Sequence, residues 1–177
     1  MEKFEPQTDE HVASIRSAIE PGTRKAACLL QWGPVETLLT PEVTLNTARD
    51  LMAAAAHAEA DIAFLQWCRD TLKVDQNTAG HMLLDIRAGR PAPGDKVALR
   101  IEAVAGAKTN QPIVRVGRGS MKGDLSPNEA RQMARHWTEA ALAAQIDVRL
   151  RYVLGEQPGL APEDIEQIFT KLQGLHR

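Results

Sequence analysis

Two long stretches without glycine or proline, each opened by a hydroxyl residue and a proline, constrain this chain more than any other feature. The first begins Leu39-Thr40-Pro41 and meets no further glycine or proline until Gly80. The second begins Leu125-Ser126-Pro127 and runs unbroken to Gly155. A Thr or Ser at the N-cap accepts hydrogen bonds from otherwise orphaned helix N–H groups. Proline at the next position loses nothing, because its missing N–H would be unpaired there anyway. Glu129, three residues after Ser126, completes a capping-box pattern. Each stretch is rich in strong helix formers. Ala48, Leu51, Ala55, Ala58, Ile62, Leu65 and Leu72 form one apolar stripe, and Ala134, Trp137, Ala141, Ala144 and Val148 form another.

A constant shift of 86 positions lays the second stretch on the first without a gap. Leu39 meets Leu125, Pro41 meets Pro127, Ala48-Arg49 meets Ala134-Arg135, and Asp61 meets Asp147. Further on, Met82, Leu83 and Ile86 meet Ile168, Phe169 and Leu172. Self-similarity at a fixed period signals repeated architecture. The expected fold is therefore α+β and predominantly helical, with two pseudo-repeats of strand, long helix and short helix. The expected division is an N-terminal unit over 1–90 and a C-terminal unit over 91–177.

Taken in order, residues 8–20 read as a short amphipathic helix carrying Val12, Ile15 and Ile19, stopped by Pro21-Gly22. Lys25 to Trp32 reads as a strand, and Val35 to Leu38 continues it after a turn. The first long helix spans Pro41 to Lys73. That exceeds the usual globular length, so a bend or break is expected within it. Asp75 caps a second helix over 76–87. Arg90-Pro91-Ala92-Pro93-Gly94 is the clearest linker. Lys96 to Val104 fits a strand or a helix equally well. Thr109-Asn110-Gln111 is a turn, Ile113 to Val116 a strand, and Gly117 to Gly123 a loose connection to the second long helix. Pro158-Gly159 breaks the chain before a last helix over 161–175.

Composition places the chain among ordinary globular proteins of sufficient length to bury a core. Cys28 and Cys68 show no paired spacing, which suits a reduced cytoplasmic setting. No apolar run approaches membrane-spanning length, and the N-terminus lacks a signal-peptide pattern. The net charge of −2 is unevenly spread: from Arg87 to Lys122 there are eight basic residues against two acidic ones. A basic centre attracts phosphate or an acidic partner.

Four candidate chemistries follow. Gly117-Arg118-Gly119-Ser120-Met121-Lys122-Gly123 could form an anion-binding nest using Arg115, Arg118 and Lys122, although it lacks the Gly-Lys-Ser/Thr of a phosphate loop. His57 with Asp61, and His81 with Asp85, each share a helix face and could supply two metal ligands, but no third ligand stands at a recognisable spacing. For covalent catalysis, Ser120 lies in no Gly-x-Ser-x-Gly elbow, and neither cysteine has a local signature. No Rossmann glycine fingerprint is present. The chain is therefore expected to be non-enzymatic, with no cofactor and no metal.

The fourth candidate is DNA. Leu72-Lys73-Val74-Asp75-Gln76-Asn77-Thr78-Ala79-Gly80-His81, followed by Ala88-Gly89-Arg90-Pro91 and Arg100-Ile101-Glu102-Ala103, resembles the turn, second helix and tail of Cro-like helix-turn-helix domains. That resemblance implies that Gln76, Asn77, Thr78 and His81 read bases in the major groove. It implies that Arg87, Arg90 and Lys96 hold phosphates. The chain departs from the pattern at Lys73, where glycine is usual, and at Asp75, which sets a negative charge near the DNA backbone. The Leu-Ser/Thr-Pro cap followed by Ala-Arg and an alanine-rich helix is similar to small uncharacterised proteins of actinobacterial phages and mobile elements. This second resemblance implies a small, non-catalytic protein acting on a partner.

The leading expectation is a non-enzymatic macromolecular-interaction or regulatory protein, with a protein or duplex DNA as partner and no membrane. A helix-turn-helix transcriptional regulator is the alternative. Alanine stripes permit close helix approach, so the long alanine-rich helices could pair within the chain or across a homodimer.

Overall fold

The computed structural model describes residues 13–106 and 110–174. The protein is α+β, with two three-stranded antiparallel sheets and four α-helices among the described residues. The first sheet is a meander of β1 (Ser14–Ile19), β2 (Ala26–Trp32) and β3 (Val35–Leu39). Helices α1 (Pro41–Trp67) and α2 (Gln76–Ala88) follow. The second meander is β4 (Arg100–Ala105), β5 (Pro112–Arg118) and β6 (Met121–Leu125). Helices α3 (Pro127–Gly155) and α4 (Pro162–Gly174) complete the chain.

The sheets show where periodicity misled. The expected helix over 8–20 is, in its described part, strand β1, paired from Ser14↔Gln31 to Ile19↔Ala26; residues 8–12 lie outside the described residues. Ile15 and Ile19 are four apart, which suits a helix as well as a strand. The turn at Pro21-Gly22, with Gly22 at φ 87°, reverses the chain so that β2 pairs back along β1, and that ladder decides the outcome. Likewise 117–123 is no loose connection. Gly117 pairs with Arg100 on one side and Lys122 on the other, and the chain reverses at Gly119-Ser120. Gly119 has φ 58°, the positive value a two-residue hairpin requires at its first central position. Lys96 to Val104 resolves as an irregular approach with bends over 96–99, followed by strand β4.

The helices begin as their caps dictate. Glu129 N–H donates to Ser126 Oγ at 3.3 Å, and Ser126 N–H donates to a Glu129 carboxylate oxygen at 2.7 Å, which closes the capping box. Asp75 accepts from the N–H groups of Asn77 and Thr78 at 3.0 Å each, capping α2. The first long helix breaks early: regular α-geometry stops at Trp67, residues Cys68–Leu72 form a π-turn, and Lys73 is left-handed at φ 56°.

Packing divides the described residues into two compact units that are interleaved in sequence. One is Glu42–Thr138; the other joins Ala13–Pro41 to the chain from Glu139 onward. In the first unit, α1 buries Thr44, Thr47, Ala48, Leu51, Ala54, Ala55, Ala58, Asp61 and Ile62, while Leu99, Val114, Val116, Met133 and Trp137 add large side chains. The segment after Pro93 is tied to α1. Gly94 N–H donates to Asp50 at 3.1 Å, and Ala98 N–H donates to the Thr47 hydroxyl at 2.8 Å. In the second unit, Cys28, Leu30, Trp32, Ala141, Ala144, Ile165 and Phe169 are buried. The alanines of both stripes are thus buried against this chain's own residues.

Candidate functional site

The basic residues of the DNA reading are the first to be placed. Asp61 has no exposed surface, an arrangement that a carboxylate tolerates only when paired. Arg87, in the last turn of α2, donates to Asp61 Oδ2 through Nε at 2.9 Å and Nη2 at 2.7 Å. Arg90, just past the helix, donates to Oδ2 through Nη1 at 3.3 Å and to Oδ1 through Nη2. Both guanidinium groups are therefore committed to a buried carboxylate. Asp61, in turn, is committed to them and not to a metal shared with His57. Lys96 makes an exposed ion pair with Glu42 at 3.4 Å. Gln76, Asn77, Thr78 and His81 are exposed along the first turns of α2. The Thr78 hydroxyl donates to Asp75 at 2.6 Å. That bond, with the Thr78 and Asn77 N–H groups, holds the Asp75 carboxyl below the usual carboxylate range, so a negative charge stands at the helix start.

The three residues of the proposed anion nest sit on strands instead. Arg115 faces Asp124 across the β5–β6 ladder and donates to it at 2.8 and 3.1 Å. The pair keeps Asp124 below its ordinary range and Arg115 firmly protonated. Arg118 donates to the Ala98 carbonyl at 3.0 Å, at the wall of a cavity of about 380 Å³ that also includes Asp50, Val97 and Arg100. Lys122 is exposed. Among the described residues, no three His, Cys, Asp or Glu side chains gather where a metal could be held.

The second unit holds a larger cavity of about 970 Å³ between the β1–β2 turn, the end of α3 and the start of α4. Its lining carries both signs: Glu20, Asp147, Glu163 and Glu166 against Arg24 and Arg151. Arg151 pairs with Glu166 and lies over the Phe169 ring, 4.0 Å from its centroid. Its Nε is buried without a hydrogen-bond partner.

The feature that sequence reading missed is on the outside of α3. Ala140, Ala141 and Ala144 are buried on its inner face. On the opposite face Leu142, Ile146, Leu150 and Val153, spaced four, four and three, remain 48%, 52%, 42% and 53% exposed. Tyr152 is also exposed, but it lies about 100° around the helix from Val153, at the cavity that Asp147, Val148 and Arg151 line. The signal was available: a helix apolar on both faces needs cover on both. Among the described residues, no helix is long and apolar enough to cross a membrane. No family model matches this chain, and neither a curated protein nor a solved structure matches it.

Proposed function

We propose that this chain is a non-enzymatic macromolecular-interaction protein that engages a protein partner through the outer face of α3. The observation that carries this reading is the apolar row Leu142, Ile146, Leu150 and Val153 opposite a face that is already buried. Covering four half-exposed side chains of this size contributes roughly 1 kcal/mol each. A contiguous row of this kind, unlike scattered surface leucines, marks an interaction site.

The reading also takes residues 14–88 and 100–174 as two copies of one folding unit. Every strand bound in the second sheet lies 86 positions beyond its counterpart in the first, and so do both ends of α4 relative to α2. The pairing registers agree with the same offset: Ser14↔Gln31 with Arg100↔Gly117, and Cys28↔Leu39 with Val114↔Leu125. Left-handed residues fall in matching pairs, Arg24 with Asn110, Gly33 with Gly119, and Lys73 with Gly159. Such agreement supports duplication of a scaffold whose two outer surfaces then diverged.

The test compares baits. Wild-type protein, an Ile146→Asp/Leu150→Asp variant and a control changed at exposed Gln76 and Asn77 are each used for affinity capture from the native host. Partners that depend on the α3 face are expected to be lost from the first variant and kept by the control. Capture that both variants leave unchanged counts against the reading. The exposed Gln76, Asn77 and His81 favour duplex DNA as a second reading. That reading requires a gel shift at low salt that weakens steeply between about 50 and 200 mM salt.

A further inference from the structure

We infer that the occupant of the outer α3 face is a second copy of this chain, with the two α3 helices antiparallel about a two-fold axis at Ile146. The inference rests on the proposal that this face is the interaction site, and it names the partner. A two-fold contact must be self-complementary, with the same patch on both sides. The part of the α3 row from Leu142 to Leu150 meets that demand, while Val153 comes opposite the aliphatic stem of Glu139 at the end of the contact. With Ile146 on the axis, Leu142 of one copy opposes Leu150 of the second, and the converse pair repeats the contact. Every large apolar member between 142 and 150 then faces another.

Charge decides the direction. Glu139 lies close to the seam and Arg149 at its edge, and both are exposed. In the antiparallel register, Arg149 of the second copy falls opposite residue 143. That places it about 6 Å, one helical turn, along the axis from Glu139, within reach of two long side chains of opposite sign. A parallel arrangement stacks Glu139 on Glu139 and Arg149 on Arg149. Like charges held side by side disfavour it. The inner alanine face contributes nothing to the contact, since it is buried within the chain. The contact is one helix wide, so it belongs at the small end of specific interfaces, below about 1,200 Å² in total. A reversible dimer is therefore expected.

The experiment uses the full chain and has two arms. In the first, light scattering follows mass against concentration. Wild-type protein is expected to rise from 19.4 kDa toward twice that value, and Ile146→Asp to associate at least tenfold more weakly. Ile146→Ala is the milder variant should the aspartate impair folding. In the second arm, a short bis-maleimide probes single cysteines, the native Cys28 and Cys68 being buried. Ile146→Cys is expected to link to itself. Leu142→Cys, whose two copies stand about 12 Å apart along the axis, is expected to link to Leu150→Cys in a mixture and only weakly to itself. Equal self-linking by Leu142→Cys and Ile146→Cys overturns the antiparallel arrangement. A wild-type mass that stays at 19.4 kDa up to about 1 mM overturns self-association. If the captured partner is still lost from the Ile146→Asp/Leu150→Asp bait in that case, the face is an interaction site for a different protein. If it is kept, both readings fall.

Discussion

The hairpin of α1 with α2 and the hairpin of α3 with α4 are held closed by opposite chemistry. In the first, the long helix supplies a buried acid, Asp61, and the far end of the short helix supplies two guanidinium groups. In the second, the long helix supplies the cation. Arg151 stacks on Phe169, pairs with Glu166, and leaves its Nε buried without a partner. The first closure is fully satisfied and depends on charge. The second is mostly packing, with a charge laid over it. The lesson is that a buried ion pair counts less by its presence than by what is stranded when one side is removed.

The largest effect follows from stranding Asp61. Arg87→Ala with Arg90→Ala leaves a carboxylate with no exposed surface and no counter-charge. A loss of about 3–5 kcal/mol in unfolding free energy is expected, measured by urea titration. Each single change should cost less than half of the double, because the remaining guanidinium still reaches Asp61. That non-additivity is the signature of a shared partner. Additive single effects would show that the two arginines act separately.

The matching change in the other hairpin sharpens the contrast. Arg151→Met removes a cation–ring contact worth roughly 0.5–2 kcal/mol. It also removes a buried N–H that has no partner, whose desolvation costs about 1–3 kcal/mol. Methionine keeps most of the packing against Phe169. The two terms offset, and stability should move by less than about 1 kcal/mol in either direction. A loss as large as that of the arginine double variant would mean that the second closure is also ionic.

These contrasts explain what could be read from residues alone. The proline-capped helix starts were legible because a cap is local chemistry: Ser126 and Glu129 are three residues apart, and Asp75 caps its own next turn. The strand at Ser14–Ile19 was not, because only pairing with Ala26–Gln31 distinguishes it from a helix of the same spacing. The Gly117–Gly123 segment failed likewise. Its glycines suggested a ligand cradle, when one of them was needed for a hairpin reversal at Gly119 and another sat in the β4–β5–β6 ladder. At the candidate sites, the residue types were visible but not their partners. Arg87 and Arg90 lie 26 and 29 positions from Asp61, and no spacing rule links them. Basic residues that look available for phosphate in a sequence can already be spent inside the fold. The outer α3 row was legible in principle, since Leu142, Ile146, Leu150 and Val153 follow helical spacing. It competes with the alanine stripe on the same helix, and only burial shows which face is already covered.

The smallest effect concerns how the two long helices begin. Helix α3 closes its start with Ser126 and Glu129, whereas Val43 stands at the corresponding place in α1 and cannot reach back. The Ser126 side chain and N–H hold the Glu129 carboxyl below its usual range. A carboxyl with a depressed folded value adds stability at pH above its unfolded value of about 4.3, and that contribution disappears as pH falls through the depressed value. Glu129 is exposed, so screening keeps the contribution at a few tenths to about 1 kcal/mol. The Ser126 amide resonance is expected to titrate with Glu129, with a midpoint below the ordinary glutamate value. Ser126→Ala should raise that midpoint, and Glu129→Gln should abolish the transition. An unshifted midpoint in the wild type would mean that the capping box does not persist in solution, and the two helix starts would then differ in sequence but not in strength.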